Sequence, residues 1–273
     1  MGATSTPKVF ACFLAMIDLF GVCEARTIHV AVPTLSMVVI AFTTAKEKDY
    51  YRDEGLDVDL VQMRDTLGIS ALIGGNAEFA SMSGAGMTAM LGGVPLRFVY
   101  STFFRPMFWL YAKPEFQDVK SLRGKRIGVT GLGSGPDNLL REVLKRAGIE
   151  GGRDATILAL GLPATLATAL RNSTVDAGMI SPPFNFAVRD AGFRELVSFL
   201  KEDFVELQGS ILVNDKLLQS DPGLIEKFVR GTLKGLRYAR ENKAGTMSVL
   251  LRYMKLKADL AGQYYDQVRP IMT

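Results

Sequence analysis

Beyond its first 25 residues this chain contains no cysteine, because Cys12 and Cys23 both fall inside that opening stretch. The rest of the chain therefore has no disulfide framework, no thiolate metal site and no cysteine nucleophile. Histidine is almost as scarce. His29 is the only one, in a segment (Ile28–Val32) that reads as a short buried strand, so a histidine-dependent triad has no partner and a structural histidine is the expectation. Long runs of one charge are also missing. Thirty-two Lys and Arg are spread among 28 Asp and Glu, for a formal charge of +4, which excludes a nucleic-acid face and leaves a weak bias toward anions. No cofactor and no metal are expected. What the sequence does have is apolar residues, 48% of the total, with 27 glycines and 11 prolines, an ordinary usage that supports a sizeable core. Its 273 residues suffice for two lobes of about 100–150 residues each.

Residues 1–25 differ from the rest. Lys8 precedes the apolar run Val9–Cys23, followed by Glu24-Ala25-Arg26. A basic start, an apolar stretch too short for a comfortable membrane span and a small residue before the cut describe a secretory signal peptide ending at Ala25. Asp18 interrupts the run, and a lipoprotein cut before Cys23 is the second possibility, with a poor lead-in at Phe20-Gly21-Val22. Removing this stretch takes away one lysine and two acids and raises the formal charge from +4 to +5. A periplasmic or extracellular location is the expectation.

The remaining chain alternates strand and helix patterns: strands at 28–32, 56–61, 79–81, 96–101 and 108–112, with helices at 38–51, 67–73 and 85–91 between them. Near Lys113-Pro114 the pattern restarts, with strands at 125–130, 156–160 and 177–180 and helices at 137–147 and 163–172. An extended segment at 210–213 follows, then amphipathic helices over 224–241, 245–254 and 259–268. This alternation predicts an α/β architecture with mainly parallel sheets flanked by helices. There is also an internal echo. Ala71-Leu72, Glu78, Ala80 and Ser83 recur 98 residues later as Ala169-Leu170, Asp176, Gly178 and Ser181, and Ser36 recurs as Ser134. The repeated unit is helix, tight turn, acid and short strand ending in serine, and it predicts two similarly built lobes. Glu78 and Asp176 read as turn or cap residues.

Open α/β sheets bind ligands beyond the carboxyl ends of their strands. Four such ends are rich in Ser, Thr and Gly and lead into helices: Pro33-Thr34-Leu35-Ser36, Ser81-Met82-Ser83-Gly84, Gly131-Leu132-Gly133-Ser134-Gly135, and Ser181-Pro182-Pro183. Free N–H groups at helix starts, if they converge, hold an anion or a polar head group; helix capping alone is the plainer explanation of each serine. The ligand-binding candidates are Thr34, Leu35, Ser36, Ser83, Gly84, Thr102, Gly133, Ser134, Ser181 and Pro182, with Arg105, Trp109 and Asn185 as further candidates. The Gly131–Gly135 loop matches neither a dinucleotide fingerprint, since Pro136 stands where the third glycine belongs, nor a Walker loop, since Gly135 is followed by Pro136-Asp137. Trp109, Phe103, Phe104 and Phe108 form an aromatic cluster for which core packing is the expectation.

Several motifs, taken in order, resemble the substrate-binding proteins of ABC importers, of the nitrate, taurine and alkanesulfonate type that also includes binders of thiamine-precursor pyrimidines. They are Gly55-Leu56-Asp57-Val58, Glu78-Phe79-Ala80, Gly93-Val94-Pro95-Leu96, Leu122-Arg123-Gly124-Lys125-Arg126-Ile127-Gly128-Val129 and Val175-Asp176-Ala177. The resemblance runs from about residue 27 to 260. It implies the two-lobed type II periplasmic-binding-protein fold, with lobe one at 26–112 plus 206–273 and lobe two at 113–205, and two crossing segments acting as a hinge. It implies a monomer that carries a small-molecule ligand to a membrane permease. It also places ligand contacts at Ser36, Ser83-Gly84, Gly133-Ser134 and Ser181-Pro182. Glu78 stands where the family usually has Asp, and the chain ends at Thr273 where relatives generally continue, so a short or truncated C-terminal lobe is expected.

The leading functional expectation is a binder of a small oxyanion such as a sulfonate, carboxylate or nitrate. A neutral heterocycle such as a pyrimidine is the alternative. A pyrimidine-synthase-like enzyme on the same fold would need a cysteine-rich segment that is missing, and a transcription-factor effector domain would need a helix-turn-helix where the signal-like run lies.

Overall fold

A computed structural model of the chain describes residues 25–254 and 256–273, together with Gly2. The signal-peptide segment and Cys23 lie outside the described residues.

Two five-stranded sheets are built on one plan. In the first, β1 (Arg26–Val32) lies between β2 (Leu56–Gln62) and β3 (Phe79–Ala80), followed by β10 (Gln208–Asn214) and β4 (Leu96–Phe103) at the far edge. In the second, β6 (Arg126–Val129) lies between β7 (Thr156–Ala159) and β8 (Ala177–Ile180), followed by β5 (Trp109–Ala112) and β9 (Arg194–Ser198). The sheets are mixed rather than mainly parallel. In each, the first three strands pair in parallel, while the last two joints, to β10 and to β5, are antiparallel. The cause is strand exchange: β10 and β5 enter their sheets after the chain has crossed from the other lobe, so they run against their neighbours. Strand 109–112, expected in lobe one, is for the same reason hydrogen-bonded into the second sheet, between Ile180–Ala177 and Ser198–Arg194. The crossings are residues 104–108 and 199–207.

The echo is structural. Glu78 accepts a hydrogen bond from the His29 N–H at 2.8 Å, and Asp176 accepts the equivalent one from Arg126 N–H at 3.0 Å. Each acid ties the turn before one strand to the start of its neighbour, as expected for turn residues. The His29 side chain is exposed rather than buried, since it points off the face opposite Ile28 and Val30.

Helices cover both faces. In lobe one these are α1 (Ile40–Glu47), α2 (Asp65–Gly74), α3 (Ser83–Leu91) and, near the C-terminus, α7 (Asp215–Ser220), α8 (Pro222–Glu241), α9 (Lys243–Met254) and α10 (Ala258–Val268). Lobe two has α4 (Gly135–Arg146), α5 (Pro163–Arg171) and α6 (Phe184–Asp190). The long α8 is strongly amphipathic; Asp221 accepts from Leu224 N–H at its start, and Leu224, Ile225, Phe228 and Leu236 face inward. It crosses α1 at Gly235, where a Cβ would fall 2.3 Å from the Ala41 carbonyl oxygen, so only glycine permits the approach. None of the described helices is long and apolar enough to cross a membrane.

The core of lobe one centres on Phe228, fully buried and stacked on Phe79 at 4.0 Å and on Tyr51 at 5.1 Å between ring centroids. Phe228→Ala is expected to lower the unfolding free energy by about 3–5 kcal/mol in denaturant titrations, the usual cost of deleting a buried aromatic side chain.

Candidate functional site

Between the lobes lies a cavity of about 690 Å³. Six strand ends line it: 33–36 after β1, 63–66 after β2, 81–85 after β3, 130–136 after β6, 159–163 after β7 and 181–182 after β8. The strands point their carboxyl ends at the cleft, and helices α2, α3, α4 and α5 begin there, which brings the predicted helix starts together. The second crossing contributes Glu206 and Leu207, the first residue of β10 contributes Gln208, and α10 contributes Tyr264.

Thr34, Ser36, Ser83, Gly84, Gly133, Ser134, Ser181 and Pro182 all line this cavity. Several of their hydroxyls are committed within the protein. Ser134 Oγ donates to the Gly131 carbonyl at 2.6 Å, and its N–H turns to the same oxygen. Ser83 Oγ shares a 2.6 Å hydrogen bond with Ser210 Oγ. Within the loop, Gly133 N–H donates to Asp137, which also accepts from Arg141, so the start of α4 is fixed by its own first-turn acid. One other hydroxyl in the cavity wall, Ser81 Oγ, is buried and has no hydrogen-bond partner among the described residues, while the buried Tyr264 OH faces Ser36 and the Met37 backbone.

Five predicted residues do not line the cavity. Leu35 packs against the lobe-one core. Thr102 is fully buried in β4, and its carbonyl accepts from Thr273 N–H at 3.1 Å. Arg105 donates to the Glu202 carbonyl at 2.9 Å and so links the two crossings. Trp109 is 2% exposed and packs within lobe two against Leu166, Leu170 and Val188. Asn185 is buried in the first turn of α6. Of the aromatic cluster, Phe103 and Trp109 are core, Phe104 is exposed, and half-buried Phe108 lines the cleft.

Sequence reasoning missed the charged furniture of the cleft: Arg64 and Asp65 after β2, and Glu206 on the crossing. Extending the strand-end rule to β2 would have pointed to the first two; nothing local marks the third. Burial raises the Asp65 carboxyl to about 6. Burial, with Asp65 nearby adding repulsion and Gln208 opposing, raises Glu206 to about 7. Glu206 also occupies the start of α4. A Cβ on Gly135 would fall 2.2 Å from its Oε1, so the protein sets its own carboxyl against the helix end that an anion would seek. Among the described residues, no group of three or more His, Cys, Asp or Glu is placed to hold a metal ion.

The lobes touch across the mouth. A Cβ on Gly84 would lie 2.2 Å from the Gly135 amide nitrogen and 2.4 Å from its Cα, and Thr88 Oγ1 donates to the Gly133 carbonyl at 3.2 Å. The missing Cβ of Gly84 permits this backbone-to-backbone contact. Gly84→Ala is expected to hold the lobes apart, visible as a larger radius of gyration in small-angle scattering. Its circular dichroism and denaturation midpoint should stay close to wild type, because both lobe cores are untouched.

Comparison with known proteins agrees with this architecture. The model of the NMT1/THI5-like family matches residues 36–245. The riboflavin-binding protein RibY of Chloroflexus aurantiacus is 26% identical over 247 residues, covering 82% of this chain and 68% of the relative. A protein of Bordetella bronchiseptica RB50 superposes with a TM-score of 0.80 at 18% identity, covering 92% of this chain and 84% of that one. The alkanesulfonate-binding protein SsuA of Xanthomonas axonopodis pv. citri, bound to MOPS, superposes with a TM-score of 0.74 at 20% identity, covering 89% and 84%. The solved structures that share the fold are mostly substrate-binding proteins, with the desulfurization enzyme DSZB among them. With two mirrored lobes, exchanged strands and a cleft at the strand ends, this chain has the periplasmic-binding-protein fold and belongs to the NMT1/THI5-like family.

Proposed function

We propose that this protein is an exported, non-enzymatic solute-binding protein that closes its lobes over a small uncharged organic molecule, of the size of a flat heterocycle, and delivers it to an ABC permease. The carrying observation is Glu206 at the start of α4. A carboxyl seated there, with Asp65 facing it, disfavours an oxyanion at the position where the helix starts converge. The volume supports the same reading, since about 690 Å³ is far more than a nitrate or a sulfonate head group would fill. The walls combine apolar side chains such as Ile69, Met82, Phe108 and Leu160 with the unpartnered hydroxyl of Ser81 and the phenol of Tyr264, a surface suited to a ring with polar edges. The riboflavin binding named for the relative RibY is consistent with such a ligand. In this reading Thr34, Ser36, Ser83, Gly84, Ser181 and Pro182 form the contact surface, and the signal-like segment 1–25 directs export. A second reading, an anionic solute, draws on Arg64, the one basic side chain among the described cavity-lining residues.

Thermal-shift measurements against riboflavin, an aminopyrimidine, an alkanesulfonate and nitrate test this. A heterocycle at a hundred times its dissociation constant should stabilise the fold by about 2.7 kcal/mol. Leu162→Trp, at a half-exposed cavity position, should remove that shift by filling the mouth. A response to nitrate or sulfonate alone would overturn the reading in favour of the anion.

A further inference from the structure

Glu206 stands where hinge and cleft meet. Its backbone N–H donates to the Phe104 carbonyl of the other crossing at 3.2 Å. Its Oε2 accepts from Gln208 Nε2 at 2.9 Å, and Gln208 Oε1 accepts in turn from Met107 N–H at 3.2 Å. Both crossings therefore fix the carboxyl, while its Oε1 is the surface on which Gly135, the first residue of α4, comes to rest. We propose that closing the cleft takes up a proton held on Glu206, so that the lobes shut more readily in mildly acidic than in mildly alkaline solution. This builds on the reading of the protein as a closing trap and adds a regulator to it.

The groups around Glu206 support the uptake. Asp65, in the first turn of α2, faces it from lobe one with the same sign of charge. From lobe two, Asp137 in the first turn of α4 is buried but already paired with Gly133 N–H and Arg141. Tyr264 of α10 contributes a neutral hydroxyl. No cation compensates among the described residues. Arg64 lies beside Gly161, where a Cβ would fall 3.9 Å from its guanidinium, and Arg105 is spent on the Glu202 carbonyl. Only the Gln208 amide and the dipole of α4 favour the ionised form.

Burial holds the closed-form carboxyl near 7 against an ordinary 4.5, and separating the lobes returns it to water. A raised value favours the protonated, closed form. That preference is complete below about 4.5 and is lost as pH rises through about 7.

The test needs no ligand. Spin labels are placed at Ile73→Cys on α2 and Arg171→Cys on α5 of the full chain, with Cys12 and Cys23 replaced by serine, and inter-label distances are measured by pulsed electron resonance. The closed-to-open ratio is expected to be more than about tenfold higher at pH 5 than at pH 8. Glu206→Gln should remove most of the pH dependence and leave only the smaller part that Asp65 contributes below about pH 6, whereas Asp65→Asn should keep the larger dependence with its midpoint moved to lower pH. Identical distance distributions at both pH values would overturn the proposal. So would a pH shift that survives Glu206→Gln and disappears in Asp65→Asn, which would place the proton on Asp65. If no solute in the thermal-shift panel binds, the functional reading fails while this measurement still stands.

Discussion

Strand exchange is the constraint on which the rest of this structure depends. Neither sheet is complete without a strand delivered from the far side of a crossing: β5 joins lobe two before its three parallel strands have been made, and β10 joins lobe one after lobe two is finished. Two consequences follow. The lobes share a folding problem even though each has its own apolar core. And the crossings are direct continuations of buried strands, so their geometry is set by two sheets at once. The hydrogen bonds between them, Glu206 to Phe104, Arg105 to Glu202 and Met107 to Gln208, are what such a double anchor produces.

The repeated unit explains how two lobes of little sequence similarity face each other so regularly. Glu78 and Asp176 do one job twice, taking the N–H of His29 and of Arg126, and each fixes the register of a short strand whose carboxyl end enters the cleft. With register fixed, the helix starts that follow, at Ser83 and in the Ser181-Pro182 loop, fall on opposite walls of one cavity. The acids are remote from the ligand surface, yet they determine where that surface lies.

Much of this was legible in the sequence, and the failures have physical causes. The helices from residue 222 onward were plain because amphipathic periodicity is strong over long helices such as α8. The cleft-lining serines and glycines were found because strand ends obey a positional rule. By contrast, β5 was assigned to the wrong lobe because strand exchange leaves no local signature: Trp109–Ala112 looks the same in either sheet. Short elements such as α6 and β9, seven and five residues long, fell below what periodicity resolves. Glu206 was invisible for a different reason. It is one of 28 acidic residues, and only the approach of Gly135 and the hold of Gln208 single it out.

The cleft wall holds polar groups in a setting that leaves some unpaired and resists the charge of others. Ser81 Oγ is buried without a partner among the described residues, at a cost of about 1–3 kcal/mol unless water or a ligand supplies the missing bond. Glu206 and Asp65 face each other with like charge in a setting that resists ionisation. The Gly84–Gly135 contact and the Thr88 hydrogen bond pull the other way, because they form only when the lobes meet. In the proposed closing trap, open and closed forms are separated by a small difference between opposing terms, the condition under which a modest ligand contribution moves the whole population. In that reading a solute that hydrogen-bonds Ser81 Oγ removes one penalty of the closed form without having to create any new contact between the lobes. In that reading specificity and closure rest on the same few polar atoms. The Ser81 hydroxyl and the carboxyl held by the crossings then mark the cavity more sharply than the helix starts, which supply its shape.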